Sequence, residues 1–380
     1  FDNVFVAGSF VGTIDFDPGE ASVNLTSIGD QDIFFSKFNS IGELIFSKRI
    51  GGTSTDFCSS IAIDGQSNLW MTGTFIGSVD FNPNEGVKAL ASSGWADVFI
   101  AKFSLSGGLR AAEKIGGSGV ESVDRISADL NGNVYISGQF SADLDFLPGP
   151  ETLTLQWDGE AADIYFAKYN SDLEFQYAKK LNGQFIAENK SSVISHDGSL
   201  ILAGYFEGPI DMDPGNGVFN LEIEKYLFNS FIGKYSPDGE ILWALQLGDL
   251  PYISTTDSGN AIEVDTDGNV YVTGNFGGLI DFDPGEGVAE LVNEFGSAMF
   301  LAKYDKFGNL IFAKGKGAYN SFSYGEDLAL DSEGNIWVTG TFIGATDFDM
   351  GPGENIIPGN SQNDIFLAKY DNTGELIFAK

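Results

Sequence analysis

The residues best suited to chemistry in this chain are pairs of aspartates in one recurring short element. It reads TIDFDPGE at 13–20, SVDFNPNEG at 78–86, DLDFLPGPE at 143–151, PIDMDPGNG at 209–217, LIDFDPGEG at 279–287 and ATDFDMGPGE at 345–354. The first acidic position is filled in every copy, by Asp15, Asp80, Asp145, Asp211, Asp281 and Asp347. The second is Asp17, Asp213, Asp283 or Asp349 in four copies, and Asn82 or Leu147 in the others. In extended backbone, residues two apart point the same way, so each pair shares a side while the Phe or Met between them turns to the core. Two carboxylates with nearby carbonyls could begin a calcium site, which takes about six to eight oxygens. The ligands would be Asp15 with Asp17, Asp211 with Asp213, Asp281 with Asp283, and Asp347 with Asp349. The alternative gives the first Asp to turn N–H groups or to a repeated Lys, and leaves the bend to Pro-Gly. The element lacks the ligand density of a DxDxDG loop, and Leu147 has no oxygen to offer. The structural role is therefore expected, with calcium as the lesser alternative.

Other chemistry is thin. His196, in SHDGS at 195–199, is the only histidine, so a catalytic triad or a His-based zinc site would rest on one turn residue. Cys58 is the only cysteine, which excludes an intrachain disulfide. There is no Gly-rich phosphate loop and no nucleophile elbow. Catalysis would have to rely on paired carboxylates, as in glycosidases, and abundant acids are not a constellation. One Lys per repeat (Lys37, Lys102, Lys168, Lys234, Lys303 and Lys369) sits among aromatics, and is expected to bridge to an Asp of the same or the next repeat. Turns such as DTDGN at 265–269, DSEGN at 331–335 and LNGN at 130–133 lack the leading Ser/Thr and the spacing of an Asp box. Hairpin chemistry accounts for them.

These elements are positioned by a long repeat. A glycine closes an apolar run at Gly8, Gly73, Gly138, Gly204, Gly274 and Gly340, at steps of 65, 65, 66, 70 and 66 residues. The lysine series steps by 65, 66, 66, 69 and 66, in phase with it. Each unit reads as four short strands, as in AIEVD (261–265), VYVTGNF (270–276), MFLAKYD (299–305) and LIFAK (310–314). Their β-branched and aromatic runs are nearly continuous, so both faces of the sheet are covered. Four-stranded antiparallel units repeated about a centre make a β-propeller. The expected fold is all-β, one propeller domain over 1–380, with repeats at about 1–60, 61–125, 126–191, 192–260, 261–326 and 327–380. The first repeat begins at the turn between its first two strands and lacks the innermost strand. Sequence beyond either end would complete that blade and close a six-bladed ring; seven or more blades is the alternative.

Composition narrows the partners. The net charge of −34 repels phosphate backbones and anionic lipid, which argues against nucleic-acid and membrane-surface roles. No run of apolar residues is long enough to span a membrane. The same charge would attract cations or a basic partner, and it keeps an aromatic-rich protein dissolved.

DTDGNVYVTG (265–274) and MFLAKYDKFGNLIFAK (299–314) resemble the bacterial β-propeller repeat abbreviated SBBP. IDFDPGEG (280–287) resembles the variant found in Bacteroidota envelope and secreted proteins. The resemblance implies a propeller in a periplasmic, cell-surface or secreted protein, and it supplies no catalytic residues. In an up-down blade the second-to-third and blade-to-blade connections share one end, and here those are the long, variable ones. That end is expected to bind a protein partner, or a glycan, within an envelope, surface or secretion-associated assembly. Tyr226, Phe228, Tyr252, Tyr319, Phe322 and Tyr324, among Ser, Asn and Gly, have the chemistry of a contact surface. The alternative is a carbohydrate-active or lactonase-like enzyme using carboxylates and calcium in the central channel.

Overall fold

The computed structural model describes residues 3–84, 86–119, 121–147, 152–159, 161–224, 227–248, 258–285, 287–317 and 321–380, the side chains of residues 294 and 295 excepted. The described residues form strands and no helix, so none of their elements is a helix long and apolar enough to cross a membrane. The described residues are all-β, and six of their antiparallel sheets, those of three or more strands, are the blades of a β-propeller. Blade 1 has three strands, Val4–Phe10, Asp32–Phe38 and Leu44–Ile50. Blade 2 has four: Asp56–Ile63, Asn68–Phe75, Asp97–Ser104 and Leu109–Gly117. Blade 3 follows with Glu121–Ala128, Val134–Phe140, Asp163–Tyr169 and Phe175–Gly183. Blade 4 is built from Ala187–Ile194, Leu200–Glu207, Phe228–Tyr235 and Ile241–Leu247. Blade 5 contains Ser258–Val264, Val270–Asp281, Glu290–Tyr304 and Leu310–Gly315. Blade 6 contains Phe322–Leu330, Ile336–Ile343, Asp364–Tyr370 and Leu376–Ala379.

The chain divides into two compact units, residues 1–160 with 165–180, and residues 161–164 with 181–380. In the first unit one core lies between blades 1 and 2, joining Ile33 and Phe35 to Met71 and Phe99. Another lies between blades 2 and 3, joining Trp70 and Ile100 to Ile136 and Tyr165. In the second unit Ile232 and Leu247 of blade 4 meet Val272 and Phe300 of blade 5, and Tyr271 and Leu301 of blade 5 meet Val338 and Phe366 of blade 6. A blade between two neighbours thus buries both faces. That is why the second and third strands are apolar at successive positions and do not alternate.

The short turns close through their first side chain. Asp64, Asp129, Asp265 and Asp331 each accept the N–H groups two and four residues on, at 2.8–3.0 Å, in the turn after the first strand. Asn39, Asn170, Asp305 and Asp371 do the same after the third strand, at 2.8–3.1 Å. These are hairpin turns stapled by Asx side chains, as expected from their composition.

The glycine that marks the repeat has a steric cause. The first strand is bulged in each of blades 2 to 6, at Cys58/Ser60, Val123/Arg125, Asn189/Ser191, Gly259/Ala261 and Gly325/Asp327. The bulge presses a carbonyl onto the second strand. A Cβ at Gly73, Gly138, Gly204, Gly274 or Gly340 would collide with the carbonyl oxygen of Phe57, Ser122, Glu188, Ser258 or Tyr324. Gly8, in the three-stranded blade, would instead meet the edge of the Phe34 ring at 3.0 Å. Gly274→Ala is therefore expected to destabilise the protein by about 3 kcal/mol or more in urea unfolding, because backbone must move. Gly8→Ala should cost about 1 kcal/mol, because a ring can turn. Equal losses would remove the bulge as the reason for the glycine.

Candidate functional site

The acidic element forms a hairpin arm between the second and third strands. Its paired segments include Thr13–Asp15 with Asn24–Thr26, Ser78–Asp80 with Ala89–Ala91, and Thr346–Asp347 with Ile356–Ile357. In all six arms one carboxylate oxygen of the first Asp accepts two backbone N–H groups, two and eight residues on, at 2.7–3.1 Å. The Val23 and Asp17 N–H groups, with the Ser22 hydroxyl, hold Asp15 below the usual carboxylate range. At Asp347 burial acts the other way but is outweighed by Lys316 and the Asn355 and Asp349 N–H groups, so its pKa is also lowered. The second Asp accepts the N–H of the glycine two residues on, in the Pro-Gly bend at Gly19, Gly215 and Gly285 and after Met350 at Gly351, each at 2.8 Å. Among the described residues no group of three or more His, Cys, Asp or Glu side chains is placed to hold a metal ion.

The arm does not project as a recognition loop. The residue between the two acidic positions turns inward, as the two-residue period requires, and Phe81, Phe146, Met212, Phe282 and Phe348 are all buried. Phe81, Phe282 and Phe348 pack on Phe99, Phe300 and Phe366 of the third strand, with ring centroids 4.6–4.9 Å apart. The tyrosine that ends the third strand then pins the arm along the blade. Tyr169, Tyr235, Tyr304 and Tyr370 donate their hydroxyls to the carbonyls of Phe146, Met212, Phe282 and Phe348 at 2.9–3.2 Å. Asn84, beyond the bend, donates to the Gly107 carbonyl in the turn at the opposite end of its blade. The expectation that this connection stays at the long-loop end is therefore corrected: aromatic burial folds it back along the sheet.

Folded back, the arm clasps the preceding blade. Gly51 bridges to Asp80, Gly116 pairs with Asp145 and Asn182 with Asp211, each joining the end of one fourth strand to the next arm. Lys316, just past the fourth strand of blade 5, reaches Asp347 at 2.6 Å.

The lysine series is anchored in two ways. Lys234, Lys303 and Lys369 lie 3.4, 3.7 and 3.0 Å from Asp197, Asp265 and Asp331 of their own blades. Lys37 and Lys102 instead donate to the Leu105 and Ser171 carbonyls of the following blade, at 3.0 and 2.5 Å. This corrects the expectation of an Asp in every copy. In blade 2 the carboxylate of Asp64 is occupied by Asn68 and by the Trp70 indole N–H. Phe5, Trp70, Tyr135, Tyr271 and Trp337 place their rings 4.6–5.2 Å from the ammonium of their blade's lysine, a cation–π contact.

Residues 45–74 and 242–275 match the family described as β-propeller repeat, SBBP. Those two segments are SBBP-type propeller repeats. Along its whole length the chain is 25% identical to an uncharacterized WD repeat-containing protein of Acanthamoeba polyphaga mimivirus, of which it spans 32%. Over 49% of its length it is 24% identical to the regulatory protein FlaEY of Caulobacter vibrioides, of which it spans 19%. Among solved structures, a protein of unknown function from Bacteroides caccae aligns over 98% of this chain and 93% of its own, with 8% identity and a TM-score of 0.38.

Of the residues expected at the contact surface, the described ones are divided between blades 4 and 6. Tyr226, Tyr252 and Tyr319 lie outside the described residues. Phe228 opens the third strand of blade 4 and packs edge-on against Tyr205, with centroids 5.7 Å apart. Phe322 and Tyr324 belong to the first strand of blade 6, not to a loop, because that strand begins earlier than its apolar run suggests. Phe322 is exposed and Tyr324 half-buried. His196 is exposed in its turn, and Cys58 lies in the first strand of blade 2, where burial pushes its thiol up to about 12.

Reading the sequence missed two sets of residues. At the long-connection end of blades 1 and 2, Ile28, Phe57 and Trp95 are exposed, Trp95 by 71%. The Asp56 N–H donates to the Gln31 carbonyl there, joining the two blades. Beneath that end are buried acids. Asp32 accepts from the Ile28 N–H and pairs with Arg49, and Asp97 caps Ser93 and pairs with Lys114. Asp56 and Glu121 open the first strands of blades 2 and 3 and are fully buried. Burial, with smaller contributions from Asp32 and Asp97, pushes them up to about 6 and about 7.

Two outcomes follow. Asp211→Ala removes two charge-assisted bonds and is expected to cost about 2–4 kcal/mol in urea unfolding. Chelation with EDTA should leave the melting temperature unchanged, and a fall would assign the arms to a metal. Because Asp56 and Glu121 bind protons more tightly folded than unfolded, their contribution is full below about pH 4 and lost as pH rises through 6 and 7. The melting temperature should therefore fall between pH 5 and pH 8, and Glu121→Gln should flatten that slope. An unaltered slope would mean that Glu121 is charged throughout.

Proposed function

We propose that this protein is a non-catalytic, protein-binding scaffold of a bacterial envelope, cell-surface or secretion-associated assembly, working in the periplasm, at the surface or outside the cell. The observation that carries the reading is the exposure of Trp95, Ile28 and Phe57 at the long-connection end of the first unit, by 71%, 61% and 44%. Large apolar side chains turned to water at one end of two adjoining blades support a contact surface there. Tryptophan contributes heavily to such contacts. A non-catalytic role is supported by the use made of the repeated polar groups. The arm aspartates hold their own N–H groups, and the lysines hold turn carboxylates, carbonyls and rings.

The test is photo-crosslinking in envelope fractions with a benzoylphenylalanine at position 95, and at the exposed edge-strand position Arg110 as a control. A discrete protein adduct is expected from position 95 alone, with capture weakened at least tenfold by Ile28→Ser. No adduct, or the same adducts from position 110, would overturn this site.

A further inference from the structure

The second unit has a cleft of about 660 Å³ between blades 4 and 5. Its walls include Leu245 and Gln246 of the fourth strand of blade 4, Asp281 and Asp283 of the blade 5 arm, and Phe307 and Asn309 of the blade 5 turn. Blades 1 and 5 carry a lysine at this position, whereas blade 2 carries Glu113. Lys48, in the fourth strand of blade 1, lies against Gly107 in the next blade's turn, and its ammonium reaches Asn84 of the next arm at 2.5 Å. Lys314, in blade 5, lies against Gly374 in the same way and reaches Glu375 at 2.5 Å, while Lys316 holds Asp347. Between blades 4 and 5 the equivalent residue is Leu245, which covers Gly308 and carries no charge.

The cleft is left with acceptors and an aromatic face. Asp281 and Asp283 each use one oxygen on backbone N–H groups, and their second oxygens have no hydrogen-bond partner among the described residues. The Gln246 amide is committed to Glu222 and Gly248, and that of Asn309 to Asp305. Phe307 is 68% exposed, with Lys306 5.2 Å from its ring centroid as the nearby cation.

We propose that this cleft receives a basic side chain, an arginine, from a protein partner, supplying from outside the cation that Lys48 and Lys314 supply from within in blades 1 and 5. A guanidinium has the donors that two carboxylates accept and a plane that stacks on phenylalanine. The volume accommodates the side chain with peptide on either side. The proposal rests on the protein-binding reading and names the chemistry of one contact.

The probe is acetyl-Gly-Gly-Arg-Gly-Gly-amide, titrated by ligand-observed NMR against its twin with neutral citrulline in place of arginine. The arginine peptide is expected to bind at least tenfold more tightly. Leu245→Lys, which installs the lysine seen in blades 1 and 5, should abolish that preference, and Phe307→Ala should weaken it. Leu242→Lys, which adds the same charge at an exposed site on the same strand, should preserve it. Melting curves identify a variant that fails to fold, in which case Phe307→Ala decides. Equal binding of the two peptides, or equal loss in Leu242→Lys and Leu245→Lys, would reduce the effect to diffuse attraction by the net charge and overturn the cleft. If the position 95 adduct persists while the preference is missing, only the cleft falls; if both are missing, the scaffold reading falls with it.

Discussion

A four-stranded sheet whose second and third strands are apolar on both faces cannot remain in water, and the rest of this structure follows from covering it. Within each unit the cover is the next blade. Trp70 and Ile100 meet Ile136 and Tyr165, and Ile232 meets Val272, because each pair removes apolar surface that would otherwise stay wet. Packing at that density leaves little tolerance. A bulged first strand presses its carbonyl onto the second strand, and only glycine fits beneath it.

The acidic arm serves the same need. Sheets stacked face to face leave a gap toward their fourth strands, and the arm fills it with Phe or Met, pinned from behind by tyrosine. A backbone bent that sharply has N–H groups without strand partners, and the first aspartate accepts two of them in every copy. The sequence pattern suggests a ligand site because aspartates recur at fixed spacing. What recurs in all six repeats is the first aspartate's hold on the N–H groups two and eight residues on.

If repetition marks architecture, recognition belongs where the repeats depart from one another. Leu245 in place of a lysine, and Trp95 exposed at a blade end, are departures of this kind. Neither is conspicuous as sequence. A leucine in an apolar run is unremarkable until Lys48 and Lys314, at equivalent positions, are seen bridging to the next blade. A tryptophan near the start of a strand reads as core until its neighbours are placed.

The period, the all-β class, the four-stranded unit, the Asx turns and the inward turn of the arm's phenylalanine were all legible in the amino-acid order, since each depends on residues close together in the chain. The direction of the arm, the split anchoring of the lysines, the first-strand placement of Phe322 and Tyr324, and the burial of Asp56 and Glu121 were not. Those depend on which blade lies against which, and on how two sheets divide the space between them. A periodic sequence states that contact identically in every copy, and only the tertiary structure shows where it differs.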